Sequence, residues 1–268
     1  MDIKRVTSAI IGFPVVAAIL IWGNKYVVDI ALSIVAIMSL YEYFHAVKQK
    51  AKPIQWIGYV AAICIAFVHM IPNADMALKV IAGIIPASIL IMFSSIIIKN
   101  QKYNLIDIAL TFFGIIYVVL FLMFLSFIRE LPDGRVLIWF VFLTAWGTDI
   151  FAYVAGKTLG KHKFTQISPN KTIEGCVGGT IGAMVLTLGF TLVCNTCFGM
   201  NISYLAIIPI SIVLSIIGQI GDLSASSIKR YVGIKDFSEL IPGHGGMLDR
   251  IDSVLFIAPF AYFLLTMI

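Results

Sequence analysis

The sequence predicts an all-α protein: a polytopic transmembrane helix bundle with about nine spans. Of its 268 residues, 60% are hydrophobic and only 12% are charged, and the mean hydropathy is +1.00. A soluble domain has about 25% charged residues, so this chain lacks the polar side chains needed to cover a water-exposed surface. Its apolar runs are continuous, as in 81–98, whereas a membrane barrel needs segments of about ten alternating residues. Four cysteines in 268 residues also exclude a disulfide scaffold.

The spans are predicted where apolar runs lie between polar breaks rich in Lys, Pro, Asn and Asp. In chain order they cover 6–22, 26–45, 54–71, 77–98, 106–128, 136–154, 175–194, 205–223 and 251–268. No hydrophilic stretch is long enough for a separate soluble domain. We therefore interpret 1–268 as a single integral membrane domain, with N-terminal spans in 1–130. The spans and cytoplasmic loops that carry the functional site are expected in 136–268.

The distribution of positive charge predicts the orientation of these spans. With nine spans and a cytoplasmic N-terminus, 15 of the 19 Lys and Arg residues fall on the cytoplasmic side and 4 on the outer side, as the positive-inside rule requires. This orientation places the two longest polar loops, 156–170 and 224–250, in the cytoplasm. It also accounts for the net charge of +5 through topology and anionic lipid headgroups, so the charge does not indicate a nucleic-acid partner.

Two acidic residues stand out among the 14 in the chain. Most of the others lie in loops or at span ends, where we expect water to solvate them. Asp149 and Asp222 instead lie near the cytoplasmic ends of otherwise apolar helices, where a carboxylate is costly unless it is paired or metal-bound. Either residue could also lie just inside the water interface.

One face of the eighth predicted span is polar. The side chains recur at intervals of three or four residues, which places them on a single helix face: Ser211, Ser215, Gln219, Asp222, Ser226 and Lys229. Such a stripe must face the protein interior or a wet cavity. Helix–helix contact explains Ser211 and Ser215 well, but it explains the charged cytoplasmic end of the stripe poorly.

The loop after this helix combines cations with glycines in a pattern typical of phosphate binding. Lys229, Arg230 and Lys235 supply charge, and the Gly-His-Gly-Gly run at 243–246 lets backbone N–H groups approach oxyanions closely. Asp249 could share a Mg²⁺ ion with Asp222, since this ion prefers oxygen ligands and phosphates complete its shell. A solvated loop that merely obeys the positive-inside rule is the alternative.

The loop between the sixth and seventh spans gives a weaker signal of the same kind. In Ser-Pro-Asn-Lys-Thr-Ile-Glu-Gly at 168–175, Lys171 could bind a phosphate, and Glu174 could orient it or cap the following helix. The Cys-x-x-Cys motif at 194–197 lacks a second ligand pair, so it does not indicate a metal site.

Taken together, these motifs resemble those of the bacterial phosphatidate cytidylyltransferase (CDP-diacylglycerol synthase) family. The resemblance rests on SSIKR at 226–230, KD at 235–236, IPGHGG at 241–246 and DRID at 249–252, together with DIFAY at 149–153, SPNKTIEG at 168–175 and GD at 221–222. It covers the C-terminal half of the chain, 149–252. The first five spans match only in being apolar.

The resemblance implies an enzyme of phospholipid biosynthesis in the cell membrane, a nucleotidyltransferase. Its reaction converts CTP and phosphatidate to CDP-diacylglycerol and pyrophosphate with Mg²⁺, and a second cation is left open. By similarity, Asp222 and Asp249 are metal ligands, and both act in catalysis with Lys229 and Arg230. The residues assigned to substrate binding are Lys171, Ser226, Lys235, His244, Gly245 and Gly246. The implied partners are CTP, phosphatidate, membrane lipids and a second copy of the chain in a homodimer.

Three other classes remain as alternatives. A membrane transporter of anionic metabolites would also place polar helix faces near cations, although no internal repeat is visible. A CDP-alcohol phosphotransferase would begin its motif with Asp-Gly-x-x-Ala-Arg, which is absent from this sequence. The partial match Asp-Gly-Arg at 133–135 lies on the predicted outer side. A purely structural membrane subunit would not need the charged residues of 229–252. Acyl-chain preference, the choice between CTP and dCTP, and the roles of Asp149 and Asp236 are not determined by the sequence.

Overall fold

The structure is a computed structural model that describes residues 3–71, 74–98, 103–240 and 245–267. It is helical throughout these ranges, apart from connecting segments and one isolated β-bridge between Lys163 and Thr172. The helices are α1 (Ile3–Trp22), α2 (Lys25–Val47), α3 (Gln55–Ile65), α4 (Ala74–Ile98), α5 (Leu105–Gly114), α6 (Phe121–Glu130), α7 (Gly134–Leu159), α8 (Ile173–Cys197), α9 (Tyr204–Val232) and α10 (Leu248–Leu265). A π-helical segment, Ile115–Leu120, joins α5 to α6, so 105–130 is one continuous helical stretch.

The predicted all-α membrane fold is confirmed. Within the described residues, five helices are long and apolar enough to cross a bilayer: Lys25–Val47, Leu105–Glu130, Gly134–Leu159, Ile173–Cys197 and Tyr204–Val232. Shorter apolar helices cover Gly12–Trp22, Gln55–Ile65 and Gly83–Ile98. The last helix, α10, carries Asp249, Arg250 and Asp252 in its first two turns. The predicted number of nine crossings is therefore not confirmed, although the helical stretches follow the nine apolar runs in order.

Three predicted boundaries are wrong. The sixth span was expected to end at residue 154, but α7 continues to Leu159, so the start of the predicted 156–170 loop is helical. The third span was expected to continue to residue 71, but α3 ends at Ile65, because the N–H groups of Ala66 and Phe67 turn back to the carbonyls three residues earlier. The eighth span was expected to end at residue 223, but α9 continues to Val232. The first part of the predicted 224–250 loop is therefore helical.

The chain forms two compact units, the first of which contains residues 1–126 and 232–250. In this unit α2 supplies much of the core, with Leu40 and Phe44 fully buried. A Cβ at Gly58 of α3 would lie 2.7 Å from the Phe44 ring, so α2 and α3 pack closely there. The connection from α2 to α3 is held to α5, because the Asp107 carboxylate accepts the Lys52 N–H at 2.6 Å and the Thr111 hydroxyl accepts the Ile54 N–H at 2.8 Å.

The second unit contains residues 127–231 and 251–268. Here α7 and α8 approach closely along a row of glycines on α8; a Cβ at Gly179 would lie 2.8 Å from the Thr148 carbonyl oxygen. Close approach through small residues is the usual basis of helix packing in membranes. The contact between α9 and α10 is of the same kind, since a Cβ at Gly221 would lie 2.8 Å from the Asp252 carbonyl oxygen.

Hydrogen bonds between side chains link α7, α8 and α9 in this second unit. The Thr148 and Ser215 hydroxyls lie 2.8 Å apart, and the Gln219 side-chain amide donates to the Thr180 hydroxyl at 3.0 Å. The Ser211 hydroxyl bonds to the Ile208 carbonyl of its own helix at 2.9 Å. The polar stripe predicted on α9 thus serves helix–helix contact at Ser215 and Gln219.

Candidate functional site

The charged end of the α9 stripe belongs to a cluster of two lysines and three aspartates in the second unit, which we call the Lys171 cluster. Its members are Asp149, Lys171, Asp222, Lys229 and Asp252. The Lys171 ammonium forms an ion pair with the Asp222 carboxylate, and the two side chains are 27% and 26% exposed. The sequence-predicted phosphate-binding lysine and the sequence-predicted metal ligand are therefore in direct contact.

The pKa of Lys171 reflects its burial and the charged side chains around it. Burial lowers the pKa of its ammonium, the carboxylates of Asp149 and Asp252 act in the opposite direction, and the Lys229 charge lowers it further. Burial disfavours a charged amine, whereas nearby carboxylates favour it. Lys171 therefore lies within the field of four other charged side chains, in an arrangement suited to exchanging anionic partners.

Four members of the cluster lie on three helices, α7, α9 and α10. Asp149 is exposed on α7, Asp222 is half-buried on α9, and Asp252 is buried on α10. Because α9 continues to Val232, Lys229 and Arg230 lie in its last turn rather than in a loop. Lys229 is buried, whereas Arg230 is exposed, so the two adjacent cations have different environments.

Lys171 itself lies in the connection between α7 and α8, which is held by hydrogen bonds of Glu174 and Thr172. The Glu174 carboxylate lies 2.6 Å from Nδ1 of His162 and accepts the N–H groups of Lys161 and His162 at 3.1 and 3.3 Å. The Thr172 hydroxyl accepts the Gly175 N–H at 3.1 Å and thereby caps α8. Of the two roles considered for Glu174, the capping of α8 is thus carried out by Thr172, while Glu174 closes the loop that presents Lys171.

The first turn of α10, in the first unit, contains the other predicted metal ligand. Oδ2 of Asp249 accepts the N–H groups of Phe237 and Gly246 at 2.9 and 3.0 Å. Gly245 has a φ of +79°, a left-handed conformation that favours glycine. Asp249 therefore holds the end of the glycine-rich segment against the residues that follow α9.

The remaining predicted residues are placed as follows. Ser226 is half-buried on α9, Lys235 is exposed, and Gly246 is buried. His244 lies outside the described residues. No structural contact tests the substrate-binding roles assigned to these side chains.

A residue that the sequence reasoning passed over lies at the same turn. Glu42, near the end of α2, is 1% exposed. Its carboxylate accepts the N–H groups of Met247 and Leu248 at 2.9 and 2.8 Å and the Ser238 hydroxyl at 2.6 Å. The expectation that water solvates acidic residues at span ends is wrong here, and also for Asp29 and Asp107, which are 0% and 1% exposed. The available signal was an acidic residue within an apolar helix, which is costly unless it has partners.

The donor set around the predicted metal ligands suits a hard cation. Asp222 and Asp249 offer carboxylate oxygens, which Mg²⁺ prefers together with phosphate oxygens and water. Across the ranges that the structure describes, no three or more His, Cys, Asp or Glu side chains are grouped as a complete metal-binding set. Two protein carboxylates with a substrate polyphosphate remain compatible with the chemistry, and the shared magnesium site stays a prediction.

Comparison with known proteins extends the resemblance to the first half of the chain. Residues 3–268 match the cytidylyltransferase family. A protein from Staphylococcus aureus named phosphatidate cytidylyltransferase is 34% identical over 264 residues, covering 97% of this chain and 98% of that protein. A protein of the same name from Staphylococcus saprophyticus is 34% identical over 272 residues, covering 98% of this chain and 99% of that protein. One from Bacillus subtilis is 39% identical over 183 residues, covering 68% of this chain and 66% of that protein. The predicted family is thereby confirmed, and its match includes α2 with Glu42: this chain belongs to the cytidylyltransferase family.

Proposed function

We propose that this protein transfers the cytidylyl group of CTP to phosphatidate, giving CDP-diacylglycerol and pyrophosphate for phospholipid biosynthesis. The observation that carries the proposal is the match, over 97% of the chain, to a protein named phosphatidate cytidylyltransferase. The cations Lys171 and Lys229 support it, because both substrates are anionic and a site that brings them together must offset their repulsion.

In the proposed reaction, a phosphate oxygen of phosphatidate attacks the α-phosphorus of CTP. A new P–O bond forms while the bond between the α-phosphorus and the pyrophosphate oxygen breaks, and pyrophosphate leaves with the electron pair. Phosphatidate is already ionised near neutral pH, so no strong general base is required. Catalysis then depends mainly on positioning and on stabilisation of the developing charge.

The residues of this chain have distinct roles in that scheme. Lys171, Lys229 and Arg230 bind the phosphates of the two substrates; Arg230 is suited to bidentate contact, whereas the lysines act as point charges. Asp222 and Asp249 would hold the magnesium ion, which supplies neutralisation of the polyphosphate charge when bound. The ion pair of Lys171 with Asp222 means that the lysine must exchange at least part of this contact when phosphates bind.

We place the reaction at the cytoplasmic face of the cell membrane. The 15-to-4 distribution of Lys and Arg favours a cytoplasmic N-terminus and cytoplasmic ends for α7 and α9. Phosphatidate then keeps its acyl chains in the bilayer while its headgroup reaches the charged helix ends. A homodimer remains part of the proposal, on the basis of the family resemblance.

The function is tested with the purified protein in detergent micelles containing phosphatidate, Mg²⁺ and CTP labelled at the α-phosphorus. We expect label to enter the organic phase as lipid, with one pyrophosphate released per lipid labelled. Diacylglycerol in place of phosphatidate and EDTA in place of Mg²⁺ serve as controls, and both should abolish labelling.

The alternative functions give different results in the same system. A transporter of anionic metabolites would carry substrate into proteoliposomes without turnover of the nucleotide, and a structural subunit would do neither. Folded protein that leaves the lipid phase unlabelled under all these conditions would refute the proposed reaction.

A further inference from the structure

Glu42 is a buried acidic side chain for which the proposed reaction itself has no use. It lies on α2, near the beginning of the chain, yet its hydrogen-bond partners lie 196 to 206 residues later. Both carboxylate oxygens are engaged: Oε1 accepts from the Ser238 hydroxyl and the Met247 N–H, and Oε2 accepts from the Leu248 N–H. All of these residues belong to the first compact unit.

The backbone groups that Glu42 binds are those that a helix leaves unsatisfied at its start. Helix α10 begins at Leu248, and the first N–H groups of a helix have no carbonyl partner within it. A negative charge at this position also interacts favourably with the helix dipole. Glu42 thus acts as a helix cap supplied from a distant part of the chain.

Glu42 and Asp249 each accept backbone N–H groups at this turn. Asp249 accepts the N–H of Gly246, while Glu42 accepts those of Met247 and Leu248. Three consecutive backbone N–H groups are therefore bound by two carboxylates. If the Glu42 contacts are lost, the segment carrying Asp249 keeps its own bond to Gly246 but loses its hydrogen bonds to α2.

The fit between Glu42 and the glycine-rich segment is close. A Cβ at Gly246 would lie 2.7 Å from the Glu42 carboxyl carbon, so any larger residue at 246 would collide with the carboxylate. The absence of a side chain at Gly246 is what lets the carboxylate reach the following N–H groups.

We propose that Glu42 is a positioning residue for cytidylyl transfer: from α2 it fixes the first turn of α10, and thereby the orientation of Asp249. This inference rests on the proposed function, because Asp249 matters for the rate only if that reaction takes place. Glu42 contacts neither substrate in this role. A misplacement of about 1 Å in a group that takes part in the reaction costs on the order of 10²-fold in rate. We therefore expect loss of the Glu42 contacts to lower mainly kcat.

The test compares Glu42→Gln with Glu239→Gln. The first variant keeps the size of the side chain but replaces one acceptor oxygen by an NH₂ group, which cannot accept from the N–H groups it faces. Glu239 is exposed in the segment between α9 and α10, so the second variant removes the same charge from a water-exposed position nearby. We expect Glu42→Gln to lower kcat by about 10- to 100-fold with KM for CTP changed less than about threefold, and Glu239→Gln to resemble the wild type.

Hydrogen exchange of the backbone amides provides a readout that does not depend on activity. In Glu42→Gln, the amides of Met247 and Leu248 should exchange at least about tenfold faster, since their acceptor is lost, while amides within α7 and α8 keep their protection. Ser238→Ala is measured as well, in case the Glu42 variant gives little folded protein. It removes one donor and leaves the charge in place, and we expect a smaller loss in kcat, about three- to tenfold.

The outcomes separate the two proposals. If wild-type protein makes no CDP-diacylglycerol, the proposed function fails, and the positioning role in that reaction fails with it. If wild-type protein is active and both Glu42→Gln and Ser238→Ala keep its kcat, the positioning role is refuted while the function stands. Unchanged exchange at Met247 and Leu248 in folded Glu42→Gln would likewise refute it.

Discussion

The variants Asp222→Asn and Lys171→Met test whether the ion pair between these two residues serves the reaction or only the stability of the fold. Two unit charges 4 Å apart attract by about 4 kcal/mol at an effective dielectric of about 20. Desolvation and loss of side-chain freedom offset most of that in a partly exposed pair, leaving about 1 kcal/mol or less. In Asp222→Asn, Lys171 also keeps the field of Asp149 and Asp252. We therefore expect a small fall in the unfolding temperature, about 2–4 °C.

The expected effect on activity is much larger. If Asp222 binds the metal ion and the reacting phosphates through it, losing this preorganised electrostatic contact costs about 10²–10³ in kcat, or about 2.7–4 kcal/mol in the barrier. The assay measures the initial rate of label transfer from CTP into lipid, beside thermal unfolding in the same micelles. The double variant reports the coupling between the two residues, since their separate effects will not add.

The matched control is Asp133→Asn. Asp133 is exposed and has a φ of +56°, a left-handed conformation that asparagine also tolerates. This variant should keep both activity and stability. If Asp222→Asn retains the wild-type rate within about threefold, or loses activity only in proportion to unfolded protein, Asp222 is a structural partner of Lys171 and the metal assignment is wrong.

Three further predictions concern protonation, packing and orientation. Burial lowers the pKa of Lys171 from 10.5, so the alkaline fall in kcat/KM should begin at a lower pH than for an ordinary lysine, and it should move to higher pH in Lys171→Arg. Between the lowered pKa and 10.5, the unfolded state binds more protons at this residue than the folded state does. The contribution of Lys171 to the free energy of unfolding therefore rises with pH in that range. Gly221→Ala places a Cβ 2.8 Å from the Asp252 carbonyl oxygen and should lower the free energy of unfolding by about 1–3 kcal/mol, whereas Gly189→Ala, with nothing within 4 Å, should not; equal unfolding temperatures would contradict this. A reporter that is active only in the cytoplasm should be silent when fused after residue 268; strong activity would mean an even number of crossings.

The fold class was predictable because membrane spans depend on a property that sums over about 20 residues, namely hydropathy. Individual boundaries depend on single contacts and were less accessible. The early end of α3 at Ile65 and the extension of α9 to Val232 both lie in segments whose composition allows either outcome. The polar stripe on α9 was predictable from its spacing, because a helix repeats every 3.6 residues.

The members of the Lys171 cluster were also predictable from the sequence. Lys171 and Asp222 lie in motifs with fixed spacing, and the structure brings them into contact. Glu42 itself could have been singled out as an acidic residue within an apolar helix, but its partners were not accessible, because they lie about two hundred residues away in the sequence. The position of an acidic residue near a span end is compatible with both hydration and burial, and only the tertiary structure distinguishes the two.

The dependence of the first unit on residues 232–250 has a consequence for the biogenesis of the protein. Glu42 enters the membrane early in translation, whereas its partner Leu248 is 206 residues further along the chain. At a synthesis rate of roughly 5–20 residues per second, about 10–40 s pass before the two can meet. During that interval the Glu42 carboxylate lacks its partners from α10, since those residues have not yet been synthesised. A ribosome stalled before Ser238 therefore leaves the Glu42 carboxylate of α2 without the hydroxyl and backbone N–H groups that it binds in the folded protein.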